Sequence, residues 1–120
     1  MTNSRINKEA ALEAAVFEDE RSVDHDKAMI EELRADPEYA EAYLQTALEE
    51  IYEPGGVGGF LIALRQVIEA RGGVTEISQK SGIARQHIYR ALSKDGNPTL
   101  TTLTELTRAA GVRLIPAHHA

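Results

Sequence analysis

Apolar residues recur every three or four positions along most of this chain, which is the spacing of helices with one buried face. Leu12, Val16 and the neighbouring alanines predict a helix from Lys8 to Glu20, after a polar, frayed stretch at 1–7. The acidic string EDERSVDHD reads as an exposed bend, with Asp24 or Asp26 capping a helix through Met29, Ile30 and Leu33 that stops near Asp36. Pro37 suits the first turn of the next helix, whose apolar face is Tyr39, Tyr43, Leu44, Ala47, Leu48 and Ile51. Pro54-Gly55-Gly56-Val57-Gly58-Gly59 is the one strong linker pattern, and a helix from Phe60 to Arg71 follows it. Asn97 is expected to cap the last helix with Pro98 at its first position; Leu100, Leu103, Leu106 and Thr107 line it, and Gly111 ends it. Val112-Arg113-Leu114-Ile115 is β-prone. A lone strand needs a partner, so this segment either pairs with its counterpart in a second copy or packs as an extended tail on its own core.

Residues 74–92, VTEISQKSGIARQHIYRAL, read as two short helices around a glycine turn. Ile77 and the small Ser78 point inward, Gly82 supplies the turn, Ile83 plugs it, and Ile88 with Leu92 forms a stripe four residues apart. Such a pair makes a helix-turn-helix, a unit that lays its second helix in the DNA major groove. The outward positions are then Arg85, Gln86, His87, Tyr89 and Arg90. Arginine pairs with guanine O6/N7 and glutamine with adenine N6/N7, so Arg85, Gln86 and Tyr89 are expected at base edges. His87 and Arg90 can serve base or phosphate, while Thr75 and the helix start at Asn97 and Thr99 are placed to donate to phosphate.

The charge alters this picture. A net charge of -6 is unusual for a nucleic-acid binder, but it is unevenly shared. Residues 1–53 carry 5 Lys/Arg against 15 Asp/Glu, a balance of -10, and residues 54–120 carry 8 against 4, a balance of +4. The division expected is therefore an acidic helical region at 1–53, a Gly-rich linker at 54–59 and a DNA-binding region at 60–120. The acidic half must point away from a duplex or be covered by something basic.

A hydrophobic content of 42% supports a core, and the absence of cysteine excludes disulfides and thiolate metal sites. No apolar run approaches the roughly 18–20 residues of a membrane span, so a bacterial cytoplasmic location is expected. No phosphate-binding loop, dinucleotide fingerprint or paired-histidine motif is present. His87, His118 and His119 have no ligand spacing linking them. Neither an enzyme nor a metal or cofactor site is expected.

The string YRALSKDGNPTLTTLTELTRAAGVRL resembles the helix-turn-helix addiction module antidotes, the HigA-type antitoxins, whose DNA-binding part is of the phage-repressor (XRE/Cro) kind. Leu92, Ser93, Gly96, Asn97 and Pro98 carry the signature, and the likeness extends upstream through ADPEYAEAYLQTALEE. The resemblance implies an all-α repressor-like bundle with an N-terminal helical extension. It also implies neutralisation of a small basic toxin of the RelE/ParE type, and repression of the chain's own operon as a homodimer on operator DNA. One departure is Ala84, which stands where the recognition helix usually opens with Ser or Thr.

The acidic half has two readings. Tyr39, Tyr43 and Leu44 could anchor a basic toxin inside a carboxylate rim, or form the core of a helix pair that dimerises. The competing functions are a stand-alone phage-type regulator, separated from an antitoxin by whether a small toxin gene lies beside it, and an adaptor without DNA binding.

Overall fold

A computed structural model describes residues 23–115. The helix expected at 8–20, the frayed start and His118 and His119 lie outside them. The described residues form an all-helical bundle: α1 (23–35), α2 (Pro37–Glu49), α3 (Gly56–Ala70), α4 (Val74–Ser81), α5 (Arg85–Ala91) and α6 (Leu100–Ala110).

The break between α1 and α2 is chemical. Proline disfavours helical backbone in the residue before it, and Asp36 is extended (φ -138, ψ 91). Its carboxylate caps α2 by accepting from the Tyr39 amide at 3.1 Å. Asp24 and Asp26 do not cap α1, contrary to expectation; both lie within it. Asp26 instead faces α3.

α3 is the central helix. Phe60, Leu61, Ala63, Leu64, Gln66, Val67 and Ile68 are buried, on more than one side of the helix, so it receives neighbours from several directions. Its start is a correction to the sequence reading. Of the expected linker 54–59, Pro54 and Gly55 lie in a tight turn closed by the Gly56 amide on the Glu53 carbonyl at 2.8 Å, and the helix begins at Gly56, four residues before Phe60. One hydrophobic cluster crosses the position where the regions were expected to divide. It joins Leu33, Ala40 and Leu44 to Phe60, Leu64, Ile68, Ile88, Leu92 and Leu106.

α4 and α5 meet as the spacing predicts. Gly82 is left-handed (φ 77), a conformation costing an L-residue about 1–2 kcal/mol. Its amide closes α4 on the Ser78 carbonyl at 2.9 Å, and the Ser78 hydroxyl donates to the Ile83 carbonyl at 2.6 Å. Ile77, Ile88 and Leu92 are buried.

α6 starts later than expected. Asn97 is not the cap; Thr99 is, accepting from the Thr102 amide at 3.1 Å, and Leu100 rather than Pro98 is the first helical residue. Asn97 belongs to the loop that packs under α5. A Cβ on Gly96 would sit 2.1 Å from the Ala91 carbonyl oxygen, so backbone and not a yielding side chain fills that space. Gly96→Ala is expected to lower stability by about 2 kcal/mol, read as a fall in denaturant midpoint. Leu106 and Thr107 are buried and Leu103 is partly so, but Leu100 is 72% exposed, outside the stripe it was expected to join.

No strand forms among the described residues. Residues 112–115 find no partner strand among the described residues. They pack as an extended tail, tied by the Val112 amide to the Thr107 carbonyl (2.9 Å) and by the Gln45 side chain donating to the Leu114 carbonyl (3.1 Å).

Candidate nucleic-acid interface

α5 has only seven residues, too few to be stable alone, so tertiary packing holds it. Ile88, Ala91 and Leu92 anchor it on the core. At about 100° per residue, the direction opposite that anchor falls between Gln86 and Arg90, with Arg85 and Tyr89 on one flank and His87 on the other. All five are exposed, as are Thr75, Asn97 and Thr99. The structure therefore brings the predicted side chains of α5 to one surface of a fixed helix.

Details within that surface differ. Ala84 occupies the N-cap of α5 and makes no side-chain cap bond, leaving the first amides of the helix open. Tyr89 leans toward α1 and α3, lining a cleft with Val23, Ile30, Ile62 and Arg65. The Thr99 hydroxyl is committed within its own helix, accepting from the Thr102 amide and donating to Thr102 Oγ1 at 3.0 Å. What it leaves for an anion is the backbone at the α6 start. Lys80 pairs with Glu76 at 3.0 Å, whereas Arg85, Arg90 and Lys94 have no ion-pair partner among the described residues. Lys94, exposed in the loop after α5, is a cation the sequence reading passed over. Its only signal was position, two residues past the end of the stripe.

Of the two readings of the acidic half, the structure places Leu44 and much of Tyr43 with the helix core and leaves Tyr39 at the surface. Leu44 is 2% exposed and part of the core, so it offers no surface to a partner. Tyr43 donates to Gln66 Oε1 at 2.5 Å, and burial, more than its neighbours' charges, pushes its phenol pKa up. Tyr39 is the one of the three at the surface, its ring 6.1 Å from that of Tyr43.

Behind Tyr43 lies a polar network. Gln66 Nε2 and Arg65 each donate to Asp26 Oδ1 at 2.7 Å, and Arg65 also pairs with Glu69. This network fastens α1 to α3. Burial works to raise the Asp26 pKa, but the bonds from Arg65 and Gln66 and the Arg65 charge outweigh it and hold the carboxyl below its ordinary value. The same contacts, against burial, raise Arg65. A lowered carboxyl pKa gives stability that is present above the unfolded-state value and is lost as pH falls through the folded one. Asp26→Asn is thus expected to cost about 2 kcal/mol at neutral pH, with the gap to the native chain closing in acid, as pH falls below the ordinary carboxylate range. Urea midpoints at the two pH values check it. The signal for this network was in α3: a helix apolar on several sides must partner the polar residues it carries.

Among the described residues no group of three or more His, Cys, Asp or Glu could hold a metal ion. No helix there is long and apolar enough to cross a membrane.

An uncharacterized protein of Haemophilus influenzae is 32% identical over 74 residues, which is 62% of this chain and 75% of that protein. No solved structure matches the chain. The sequence family described as "Probable addiction module antidote protein" matches residues 25–117, from within α1 to beyond the end of α6. The chain belongs to that addiction module antidote family.

Proposed function

We propose that this chain is an antitoxin with two faces: it neutralises a small basic toxin of the RelE/ParE type, and as a homodimer it represses its own operon through a phage-repressor-like helix-turn-helix. The observation that carries the DNA half is the outward face of α5, where Arg85, Gln86 and Arg90 stand exposed on a helix fixed by Ile88 and Leu92. Gln86 and Arg90 reach bases from the centre of that face and Arg85 from its flank; Lys94, Thr75 and the start of α6 hold phosphates. His87 and Tyr89 sit at its edges.

The toxin half rests on family membership and on charge. Residues 1–53 carry the -10 balance, which suits a basic partner and repels a duplex. In this division of labour residues 1–53 face the toxin and residues 60–120 face DNA. Of the three anchors expected there, Tyr39, exposed among Glu38, Glu41 and Asp36, is the one available to a partner on that side. In the dimer, residues 112–115 are proposed to pair as a strand with the same segment of the second copy.

Fluorescence anisotropy with DNA from upstream of the chain's own gene tests the DNA half. Binding is expected to exceed that of a scrambled duplex by about 1,000-fold or more, and log K to fall linearly with log salt. Equal, salt-insensitive binding to both duplexes would contradict it.

A further inference from the structure

Tyr89 stands at the edge of the outward face of α5 with 40% of its surface open. It lines a cleft of about 630 Å³ whose other walls include Ile62 and Arg65 on α3 and Val23 and Ile30 on α1. So α1, which belongs to the acidic half, forms one side of the seat of a recognition-helix side chain. The two ends of α1 are held differently. Ile30 and Leu33, in its second half, sink into the apolar core. Its first turn has no buried residue, and Asp26 ties that turn to α3 by accepting from Arg65 and Gln66, both at 2.7 Å. Arg65 therefore serves twice: it grips Asp26, and it lines the cleft beside Tyr89.

We infer that Asp26 is a positioning residue for DNA binding: by fixing the first turn of α1 it braces Tyr89, whose hydroxyl then meets the sugar-phosphate backbone at the edge of the groove. The inference rests on the proposed DNA-binding reading and adds to it a residue of the acidic half. Position selects the backbone rather than a base. The major groove is roughly 12 Å wide, about the diameter of a helix with its side chains. A residue on the flank of the inserted helix, tilted away from its centre, therefore lies toward a wall of the groove, and that wall is phosphate. Tyrosine hydroxyls are among the usual phosphate donors. Those of Tyr39 and Tyr43 are engaged with Met29 and Gln66, whereas that of Tyr89 makes no hydrogen bond to another described residue. Bracing matters because a side chain that is free before binding loses that freedom on contact, and a ring already seated does not.

Anisotropy titrations of the full chain with the upstream and scrambled duplexes test this, using Tyr89→Phe, Asp26→Asn and the two combined. Tyr89→Phe removes only the hydroxyl and is expected to weaken binding to both duplexes by about tenfold, as loss of a phosphate contact does. Asp26→Asn is expected to weaken both by about fivefold, at a temperature where melting shows the variant folded. The direction is diagnostic. Removing an acidic charge by itself strengthens binding to a polyanion, and a merely structural role lowers the melting temperature without moving the affinity of the folded chain. In the Tyr89→Phe background, Asp26→Asn is expected to change affinity by less than about twofold, because both act on one contact. Val23→Ser, at an exposed residue, lowers the same wall without touching the Asp26 bonds and is expected to weaken binding by about two- to threefold. Unchanged or tighter binding by Asp26→Asn, or losses that add in full in the combined variant, would overturn the inference. The two readings fail separately. Ring resonances of Tyr89 in the DNA-free chain read the bracing alone: Asp26→Asn is expected to shift them while those of Tyr52, 96% exposed, stay in place. That shift in a chain that binds no duplex specifically removes the DNA reading and leaves the brace. Specific binding by the native chain, with Tyr89 resonances unmoved in Asp26→Asn, removes only this inference.

Discussion

Replacing Arg85 and Gln86 together by alanine is expected to weaken binding to the operator by about 1,000-fold, or about 4 kcal/mol, because two base contacts worth about 1–3 kcal/mol each are removed. Both side chains are exposed, and neither makes a hydrogen bond or ion pair with another described residue that the fold would miss. Stability is therefore expected to stay within about 0.5 kcal/mol of the native chain. It can even rise slightly, since Arg85 places a positive charge at the N-terminal end of α5, where the helix dipole opposes it. Anisotropy titrations and thermal melts on the same preparations read both quantities. Unchanged affinity, or lost affinity together with a lower melting temperature, would contradict the assignment of these two residues to the reading face.

Ile88→Ala is the converse case. Ile88 is 0% exposed, packs in the central cluster, and is one of three buried residues holding a helix of seven. Truncation removes the buried methyl and methylene groups and leaves a cavity, at an expected cost of about 3–4 kcal/mol. For a domain of this size that is a large part of the total stability, and α5 has no intrinsic helical stability to compensate. Urea denaturation is expected to show the midpoint falling sharply with a similar slope, and DNA binding lost through unfolding rather than through a missing contact. A loss under about 1 kcal/mol would mean that α5 is not seated as described. The two variants separate two ways of losing the same activity. The first removes the contacts and keeps the helix; the second keeps the contacts and loosens the helix.

Much of the interior was legible because helical periodicity is set by what is buried. Leu33, Leu44, Ile77, Ile88, Leu92 and Leu106 all fall on the stripes read from spacing, and all are buried. Turn chemistry was legible at Asp36-Pro37, Gly82 and Gly111, where residue type nearly dictates backbone. Boundaries that depend on competing caps were not. Asn97 and Thr99 are both good caps, and the choice fell to Thr99 because its hydroxyl reaches the Thr102 amide while Gly96, next to Asn97, is pressed against the Ala91 carbonyl. The Gly-rich run misled for a related reason: glycine permits a linker but also permits a tight turn, and the closing bond from Gly56 to Glu53 is a tertiary fact.

At the candidate site, periodicity alone gave the outward face of α5, because Ile88 and Leu92 fix which way it turns. It could not show that Tyr89 leans toward α1, nor that Tyr43 is drawn to Gln66, since both depend on where α1 packs.

An RNA-cleavage assay tests the central claim most directly. The small basic toxin proposed as this chain's partner is incubated with ribosomes and messenger RNA, and the full-length chain is titrated in. The account predicts that cleavage stops at a fixed stoichiometric ratio, and that Arg85→Ala/Gln86→Ala inhibits as well as the native chain, because the toxin meets the acidic face and not α5. Undiminished cleavage at excess chain would contradict the antidote reading, and inhibition lost in the double variant would contradict the separation of its two faces.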